Sequence, residues 1–306
     1  MTLTPAAAID TTARVFGAHA GFRALHAKGI VATGTFTPTA EAAGWSRAAH
    51  LSGPEVPVTV RFSNGSGNPR HPDWAPDPRG LAVKFYLPDG SRTDIVAVSS
   101  PGFPTRTPEG FIELVQAQAA GPAAVWKLPL FLRRHPEAIR VLPRVAPTLL
   151  PPGSYATIPY HGLHAFRWQD AEGGERFVRY TLRPAAAVAR LKPWEARRLG
   201  ADYLQSEIAQ RLATGPVLFS LEIQIAAPGL DRTDDPSAVW PKGRRRVTVG
   251  ALRVTGLDTE REQGDDVLVF DPSRVTDGIE CSDDPVLRFR PGAYSESVKR
   301  RTETSG

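Results

Sequence analysis

Residues 77–86 read DPRGLAVKFY, a turn followed by an apolar run. Pro78 and Gly80 are typical of a turn, and the run from Leu81 to Leu87 has the length of a strand. Two further strands are predicted close by, from Val56 to Ser63 and from Asp94 to Ser99. Several short strands joined by turns rich in proline and glycine favour a β-sandwich or a β-barrel.

The same pattern continues along the chain. Strands are predicted from His164 to Trp168, from Phe177 to Leu182, over residues 217–225 and from Val247 to Val254. In residues 217–225 apolar and polar side chains alternate, which indicates a half-buried antiparallel strand. Long antiparallel strands with helices between them predict the α+β class.

Helices are predicted at three places. Thr107 is placed to cap a helix that begins at Pro108. A second helix is expected from Pro193 to about Gly215, with Leu199 on its apolar face. A short last helix is expected from about Gly292 to Arg301. Residues 122–150 contain several prolines, and the pattern leaves helical and irregular structure equally open.

The composition limits the functional classes. The 306 residues are 41% apolar and 23% charged, with a net charge of +5, which is neither a disordered nor a membrane composition. No apolar run is long enough to cross a bilayer, no basic arm suggests nucleic acid, and Cys281 has no partner for a disulfide. The first dozen residues lack Lys and Arg, unlike a secretory signal. We expect a cytoplasmic protein without a membrane or nucleic-acid partner.

Three short motifs carry the chemistry, and each alone is unremarkable in composition. Residues 23–29 read RALHAKG, residues 60–64 read VRFSN, and residues 77–86 form the stretch quoted first. A lone histidine such as His26 is more often structural than catalytic. Together and in this order, however, the three motifs resemble those of the haem catalases. The resemblance extends from about residue 20 to residue 301 and includes Phe111 and the segment from Arg290 to Arg301.

The resemblance implies a fold, a cofactor and a set of site residues. It implies one catalase-like haem-binding domain over residues 1–306, an antiparallel β-barrel with inserted and flanking helices and with flexible ends at 1–18 and 302–306. The cofactor would be ferric haem b. By the same resemblance the site residues are the distal acid–base residue His26, its hydrogen-bond partner Ser63, the iron ligand Tyr294, the haem-packing residue Phe111, and the propionate-binding residues Arg23, Arg61 and Arg301.

The segment around Tyr294 has a physical logic of its own. Arg290, Ser297 and Arg301 lie four residues before, three after and seven after Tyr294, so on a helix all four share one face. A phenol binds iron well only as the phenolate, and a nearby guanidinium favours that ionised form. Tyrosine-ligated haem is suited to peroxide chemistry rather than to reversible oxygen binding.

One departure from the catalase pattern bears on activity. Residues 94–101 read DIVAVSSP, and Val98 stands where catalases have their distal asparagine. Valine cannot form a hydrogen bond with peroxide. We therefore expect a haem peroxidase that reduces hydrogen peroxide or an organic hydroperoxide with a small organic donor and has weak or no catalase activity. A true catalase, an enzyme that rearranges hydroperoxides, and a non-catalytic haem-binding protein remain alternatives.

The length also departs from that of ordinary catalases. The chain ends soon after Tyr294, where they continue with a helical domain, so it resembles the short catalase-related peroxidases of the superfamily. We expect a smaller oligomer, such as a homodimer, and no binding of NADPH. The spacing of His161 and His164 is compatible with a metal site, but no second ligand pair accompanies them, and we expect both to be structural.

Overall fold

The computed structural model describes residues 3–260 and 267–303. Its strands are β1 (Gly29–Pro38), β2 (Val56–Asn64), β3 (Arg79–Tyr86), β4 (Arg92–Val98), β5 (Tyr160–His161), β6 (Phe166–Gln169), β7 (Glu175–Pro184), β8 (Val217–Ile225), β9 (Arg246–Leu257) and β10 (Ile279–Cys281). Each strand predicted from the sequence has a counterpart here, within two or three residues at its ends. Strands β1, β5 and β10 were not anticipated.

Eight of these strands close into a barrel. The order around the ring is β1, β2, β3, β4, β5, β7, β8 and β9, and β9 pairs again with β1. Each of these pairs is antiparallel, while β6 and β10 extend the sheet outward from β7. The predicted α+β fold with an antiparallel β-barrel is therefore confirmed.

Alternate residues of the strands fill the barrel. Phe62 on β2, Leu81 on β3 and Phe219 on β8 are buried together in the main apolar core. The outer face of β1 to β4 is covered as well, because Leu268 and Phe270 pack over it. Burial on both faces explains why the apolar run within residues 77–86 is nearly continuous rather than alternating.

The helices lie outside the barrel. They are α1 (Pro5–Phe16), α2 (Ala49–Ser52), α3 (Pro108–Gln118), α4 (Ala124–Arg134), α5 (Pro136–Val145), α6 (Pro193–Arg198), α7 (Tyr203–Thr214) and α8 (Pro285–Glu303). The predicted cap is present, since Thr107 Oγ1 accepts a hydrogen bond from the Gly110 amide at 3.2 Å. Residues 122–150, left open above, form two helices joined at His135.

Two helix predictions were wrong in extent. The helix expected from Pro193 to Gly215 is broken into α6 and α7, because Gly200 has a φ of +100°, which no helix accommodates. Helix α8 begins at Pro285 rather than Gly292. Asp284 caps it by accepting hydrogen bonds from the amides of Val286 and Leu287, a signal that the sequence analysis overlooked.

Helix α1 was not anticipated, and it packs against α8 and α3. Arg300 on α8 forms an ion pair of 2.5 Å with Asp10 on α1. This contact joins the two ends of the described chain and holds α8 beside the barrel. Among the described residues no helix combines the length and the apolar character needed to cross a bilayer.

Candidate active site

His26 lies in a loop between α1 and β1 with an unusual backbone conformation. Its φ of 55° is the only positive value of a non-glycine residue within residues 3–260 and 267–303. The conformation is held from both sides: the His26 amide donates to Gly65 O at 3.1 Å, and Arg61 donates to His26 O at 3.0 Å. A strained residue fixed by its surroundings is a common feature of functional sites.

Close packing then orients the imidazole. Nδ1 of His26 is 3.0 Å from Oγ of Ser63 on β2. A Cβ atom on Gly80 of β3 would lie only 2.8 Å from that Nδ1 and 2.6 Å from Ser63 Oγ. Gly80 therefore lets the ring lie directly against the backbone of β3. The glycine read first as a turn residue turns out to be required by close approach.

The His26 imidazole is neutral at physiological pH. Burial lowers its pKa to about 3, and the charges of Arg61, Arg290 and Arg23 act in the same direction. Arg61 lies on β2 and Arg290 on α8, so the histidine faces both the barrel and the last helix. Three guanidinium groups near one imidazole give this region a positive potential.

A buried polar network lies beneath this loop. Asn64, next to Ser63, donates to Asp73 at 2.7 Å and accepts from Tyr155 at 2.8 Å. Lys28 forms an ion pair of 2.7 Å with Asp73, and the guanidinium of Arg79 donates to Asp73 O at 2.7 Å. All five side chains are buried. The motif residues flanking His26 and Gly80 thus anchor the loop to the barrel.

Val98 on β4 lies beside Gly80 on β3 in the sheet. Ser63 pairs with Gly80, Gly80 with Val98, and Val98 with His161, so these residues form one row across neighbouring strands. Directly paired residues point to the same face of a sheet. Val98 is therefore on the face that carries Ser63 and His26, which agrees with its assignment to the position of the missing asparagine.

Helix α8 brings the C-terminal residues to the same region. Arg290 donates to the Tyr294 hydroxyl at 3.0 Å, as the four-residue spacing predicted. Ser297 Oγ accepts a hydrogen bond of 3.3 Å from the amide of Ala24, which joins the helix directly to the loop of His26. Tyr294 and Ser297 are both half-buried.

The surroundings of Arg290 were not predicted from the sequence. His164 was expected to be only structural, and Asp284 was not among the candidate residues. In the structure His164 Nδ1 is 2.6 Å from Asp284 Oδ2, and both groups are buried. Burial lowers the pKa of His164 to about 4, and the charge of Arg290 contributes in the same direction. In the sequence, the pair Asp284-Pro285 was the signal for a capped helix start at this position.

The remaining predicted site residues are Arg23, Arg61, Phe111 and Arg301. Arg23 donates to Leu268 O at 2.8 Å, and the Arg61 guanidinium is buried. Phe111 on α3 contacts Phe103, with ring centroids 5.1 Å apart, and both rings are half-buried. Arg301 is half-buried in the last turn of α8.

These features define the class of site: a region of positive potential between the loop of His26 and the last helix, with a neutral imidazole on one side and a tyrosine hydrogen-bonded to arginine on the other. Such a region suits a prosthetic group that carries carboxylates. The three arginines that act on His26 supply the countercharge, and the unsubstituted Gly80 keeps the imidazole against the barrel wall.

Comparison with known proteins leads to a family of the same class. The family model described as Catalase matches residues 2–305. A catalase-related peroxidase of Mycolicibacterium paratuberculosis is 53% identical over 300 residues, covering 98% of this chain and 95% of that protein. One of Synechococcus elongatus is 34% identical and covers 98% and 89%. A fungal catalase crystal structure superimposes with a TM-score of 0.82 at 25% identity, covering 96% of this chain and 62% of that one.

The chain belongs to the catalase family, whose members are haem enzymes. The predicted resemblance to the short catalase-related branch is confirmed, because the two relatives bearing that name match over most of their own lengths. A catalase of Methanosarcina barkeri is 30% identical, and the chain spans only 57% of it.

Proposed function

We propose that this protein is a haem peroxidase that reduces hydrogen peroxide or an organic hydroperoxide at the expense of a small organic donor. The observation that carries the proposal is His26, a neutral imidazole fixed between Ser63 and Gly80 and facing the helix that bears Tyr294. The names of two relatives, matched over 95% and 89% of their own lengths, support a peroxidase over a true catalase.

The cofactor would be ferric haem b, held by residues from both sides of the pocket. Tyr294 would bind the iron, with Phe111 against the ring and with Arg23, Arg61 and Arg301 at the propionates. Bound there, the haem would supply the two-electron reduction of the O–O bond. Arg290 would hold the Tyr294 oxygen in position by donating a hydrogen bond of 3.0 Å to it.

His26 would move the proton. When Nδ1 donates to Ser63 Oγ, the lone pair of Nε2 is available to accept a proton from peroxide and return it to the departing oxygen. General acid–base catalysis of this kind contributes roughly 10²–10⁴-fold to a rate. The low pKa of His26 keeps the imidazole in the basic form throughout the physiological range.

Val98 explains why peroxidase activity should exceed catalase activity. Dismutation requires a second peroxide to be held and oriented, and the valine offers it no hydrogen bond. Oxidation of a donor makes no such demand. The half-buried Val98 would instead tolerate the apolar part of an organic hydroperoxide.

The test is to follow donor oxidation and oxygen release together in the haem-loaded protein. We expect a chromogenic donor to be oxidised faster than oxygen is released, and the His26→Ala variant to retain haem but lose turnover. The Tyr294→Phe variant should lose haem or show an altered Soret band. Oxygen release that outpaces donor oxidation would identify a true catalase instead.

Two other outcomes would identify the remaining alternatives. Consumption of a fatty acid hydroperoxide without any donor would indicate a rearranging enzyme. Haem binding without turnover of any peroxide in wild type would favour a haem-binding protein without catalysis. Full activity in His26→Ala would instead remove the proposed base.

We further propose a single catalase-like domain over residues 1–306 that forms a homodimer in the cytoplasm. Contacts between α1 and α8 support the single domain, because they join the two ends of the described chain. The presence of only one cysteine, Cys281, is compatible with a reducing compartment.

A further inference from the structure

Helices α4 and α5 form a hairpin with an unusual outward face. Val125 and Trp126 on α4 are 81% and 57% exposed, and Ile139 on α5 is 55% exposed. The other exposed side chains of the two helices are Pro129, Arg133, Arg134, Pro136, Arg140, Pro143 and Arg144. No carboxylate is among them. Exposed aromatic and aliphatic residues mixed with arginines are typical of helices that lie at a membrane surface.

The charge of the hairpin is strongly one-sided. Residues 124–145 contain five Lys and Arg side chains but only one acidic residue, Glu137, which faces His135. Glu113 on α3 forms an ion pair with Arg134. Within the described parts of the chain, Arg133, Arg140 and Arg144 have no acidic partner. The positive charge therefore remains available to an external anion.

The inner face of the hairpin connects it to the active site. Phe131, Ala138 and Val141 are buried beneath the two helices. Val141 lies against Gly102, where an added Cβ would be 3.0 Å from the Val141 side chain. Gly102 belongs to the segment that follows Val98. The hairpin therefore lies between its outer face and the chain that leaves the distal face of the site.

We propose that the outer face of the α4–α5 hairpin docks on an anionic phospholipid surface, a partner that the sequence analysis did not predict. Lipid satisfies both features of the face, because acyl chains accept Val125, Trp126 and Ile139 while phosphate groups attract the arginines. A second copy of the chain would bring two positive faces together. Nucleic acid would satisfy the charge but leave the exposed aliphatic side chains in water.

The proposal also names a substrate class, which rests on the proposed peroxidase function. A protein docked in this way would meet hydroperoxides of membrane lipids, and Val98 provides an apolar surface for their chains. Peroxide reduction would convert the lipid hydroperoxide to the alcohol and one water molecule, with two electrons and two protons supplied by the organic donor.

The experiment measures sedimentation of the haem-loaded protein with lipid vesicles. Wild type should partition at least about tenfold more strongly onto vesicles containing phosphatidylglycerol than onto phosphatidylcholine alone, and added salt should weaken the binding. Arg140→Glu combined with Arg144→Glu should reduce this binding about tenfold, and Trp126→Ser should reduce it severalfold.

Matched controls separate the hairpin from general surface properties. Lys242→Glu with Arg253→Glu lowers the net charge by the same four units at exposed positions outside the hairpin, and Leu230→Ser removes an exposed aliphatic residue elsewhere. Both controls should bind vesicles like wild type. Equal losses in controls and hairpin variants, or no preference for anionic lipid, would overturn the proposal. So would a dimer that dissociates in Trp126→Ser while vesicle binding persists, or tighter binding to DNA than to vesicles.

A second measurement distinguishes failure of the docking from failure of the proposed function. The hairpin variants should keep wild-type turnover of soluble cumene hydroperoxide but lose turnover of vesicle-bound phospholipid hydroperoxide. Equal turnover of the vesicle-bound substrate by variants and wild type would contradict the docking role. Absence of turnover with both substrates in wild type would contradict the peroxidase function and leave vesicle binding as a separate result.

Discussion

The distal and proximal halves of the site are built in different ways. The distal half is assembled from separate segments, so that His26, Ser63 and Gly80 meet only because β2 and β3 pair in the correct register. The proximal half is one helix, where Arg290 and Tyr294 are neighbours through their four-residue spacing alone. Even there, His164, whose pKa the charge of Arg290 lowers, comes from a distant part of the chain.

The difference indicates where the molecule tolerates change. On the distal side an atom added at Gly80 has no room, because the backbone of β3 and the imidazole are already in contact. On the proximal side the side chains of Tyr294 and Ser297 are only half-buried. Substitutions on the distal side should therefore misplace the His26 imidazole. Substitutions on the proximal side should weaken binding of the cofactor.

The largest effect is expected from the network beneath the distal loop. Lys28→Met removes the partner of Asp73 in a pair whose side chains are 5% and 0% exposed. Breaking a buried pair from one side costs about 3–5 kcal/mol, and we expect the free energy of unfolding to fall by about that amount in denaturant titrations. Lys242→Met, at an exposed position, should be neutral. A loss below about 1 kcal/mol for Lys28→Met would contradict the anchoring role.

Gly80→Ala should disable the distal half while leaving haem bound. The new Cβ must displace His26 or Ser63, and a misplacement of about 1 Å costs roughly 10²-fold in rate. We expect kcat/KM for peroxide to fall by about that factor with an unchanged Soret band. Gly256→Ala is the matched control, because a Cβ there meets no atom within 4 Å. Equal activity of both variants would show that the imidazole is not confined.

On the proximal side, Arg290→Leu should weaken haem binding about 10–100-fold, the usual effect of removing a group that orients a metal ligand. The hydrogen bond of 3.0 Å to Tyr294 is lost, and the phenol is left without its cationic neighbour. Titration of the apoprotein with haem measures the change. Retention of wild-type affinity together with a 10²-fold loss of rate would instead make Arg290 resemble the distal residues.

Acid should weaken the barrel. Burial lowers the pKa of His50 from 6.5 to about 4 and that of His161 likewise to about 4. Between pH 6.5 and 4 the unfolded chain therefore binds more protons, so stability falls as the pH falls, by at most about 1.4 kcal/mol per pH unit for each histidine. Above pH 6.5 these two histidines should contribute nothing to the dependence of the free energy of unfolding on pH.

The measurement is the free energy of unfolding of the apoprotein as a function of pH. His50→Leu should reduce the acid slope by about one proton, because His50 lies between the rings of Phe36 and Phe85 and leucine needs no proton there. An unaltered slope in this variant would mean that His50 is protonated in the folded barrel.

The smallest effect is expected at Val98. Val98→Asn adds one hydrogen-bonding group on the face shared by Gly80 and Ser63, and a single such bond contributes about 0.5–1.5 kcal/mol. We expect the ratio of oxygen release to donor oxidation to rise by roughly 2–10-fold. Val267→Asn, at an exposed position, should leave the ratio unchanged. A fall in the ratio would place Val98 away from the bound peroxide.

Much of the fold could be predicted locally. The strands from Val56 to Val254 were recognisable because each has its own apolar pattern and turn residues, and Thr107 marked the start of α3. The two-residue strand β5 was not recognisable, because its structure depends on pairing with other strands. Helix α1 was overlooked although Thr4 and Pro5 give it the same kind of start signal as Thr107 and Pro108 give α3. The break at Gly200 was visible as a glycine, but helical periodicity on both sides concealed it.

The sequence by itself determined the residue types, the ordered motifs and the spacing of Arg290 and Tyr294, because these are properties of neighbouring positions. Only the tertiary structure decided that Gly80 lies against His26, that Asp284 supports His164, and that the charges of three arginines converge on one imidazole. Those relationships join residues far apart in the chain. Distances and burial across a closed barrel exist only after the strands have paired.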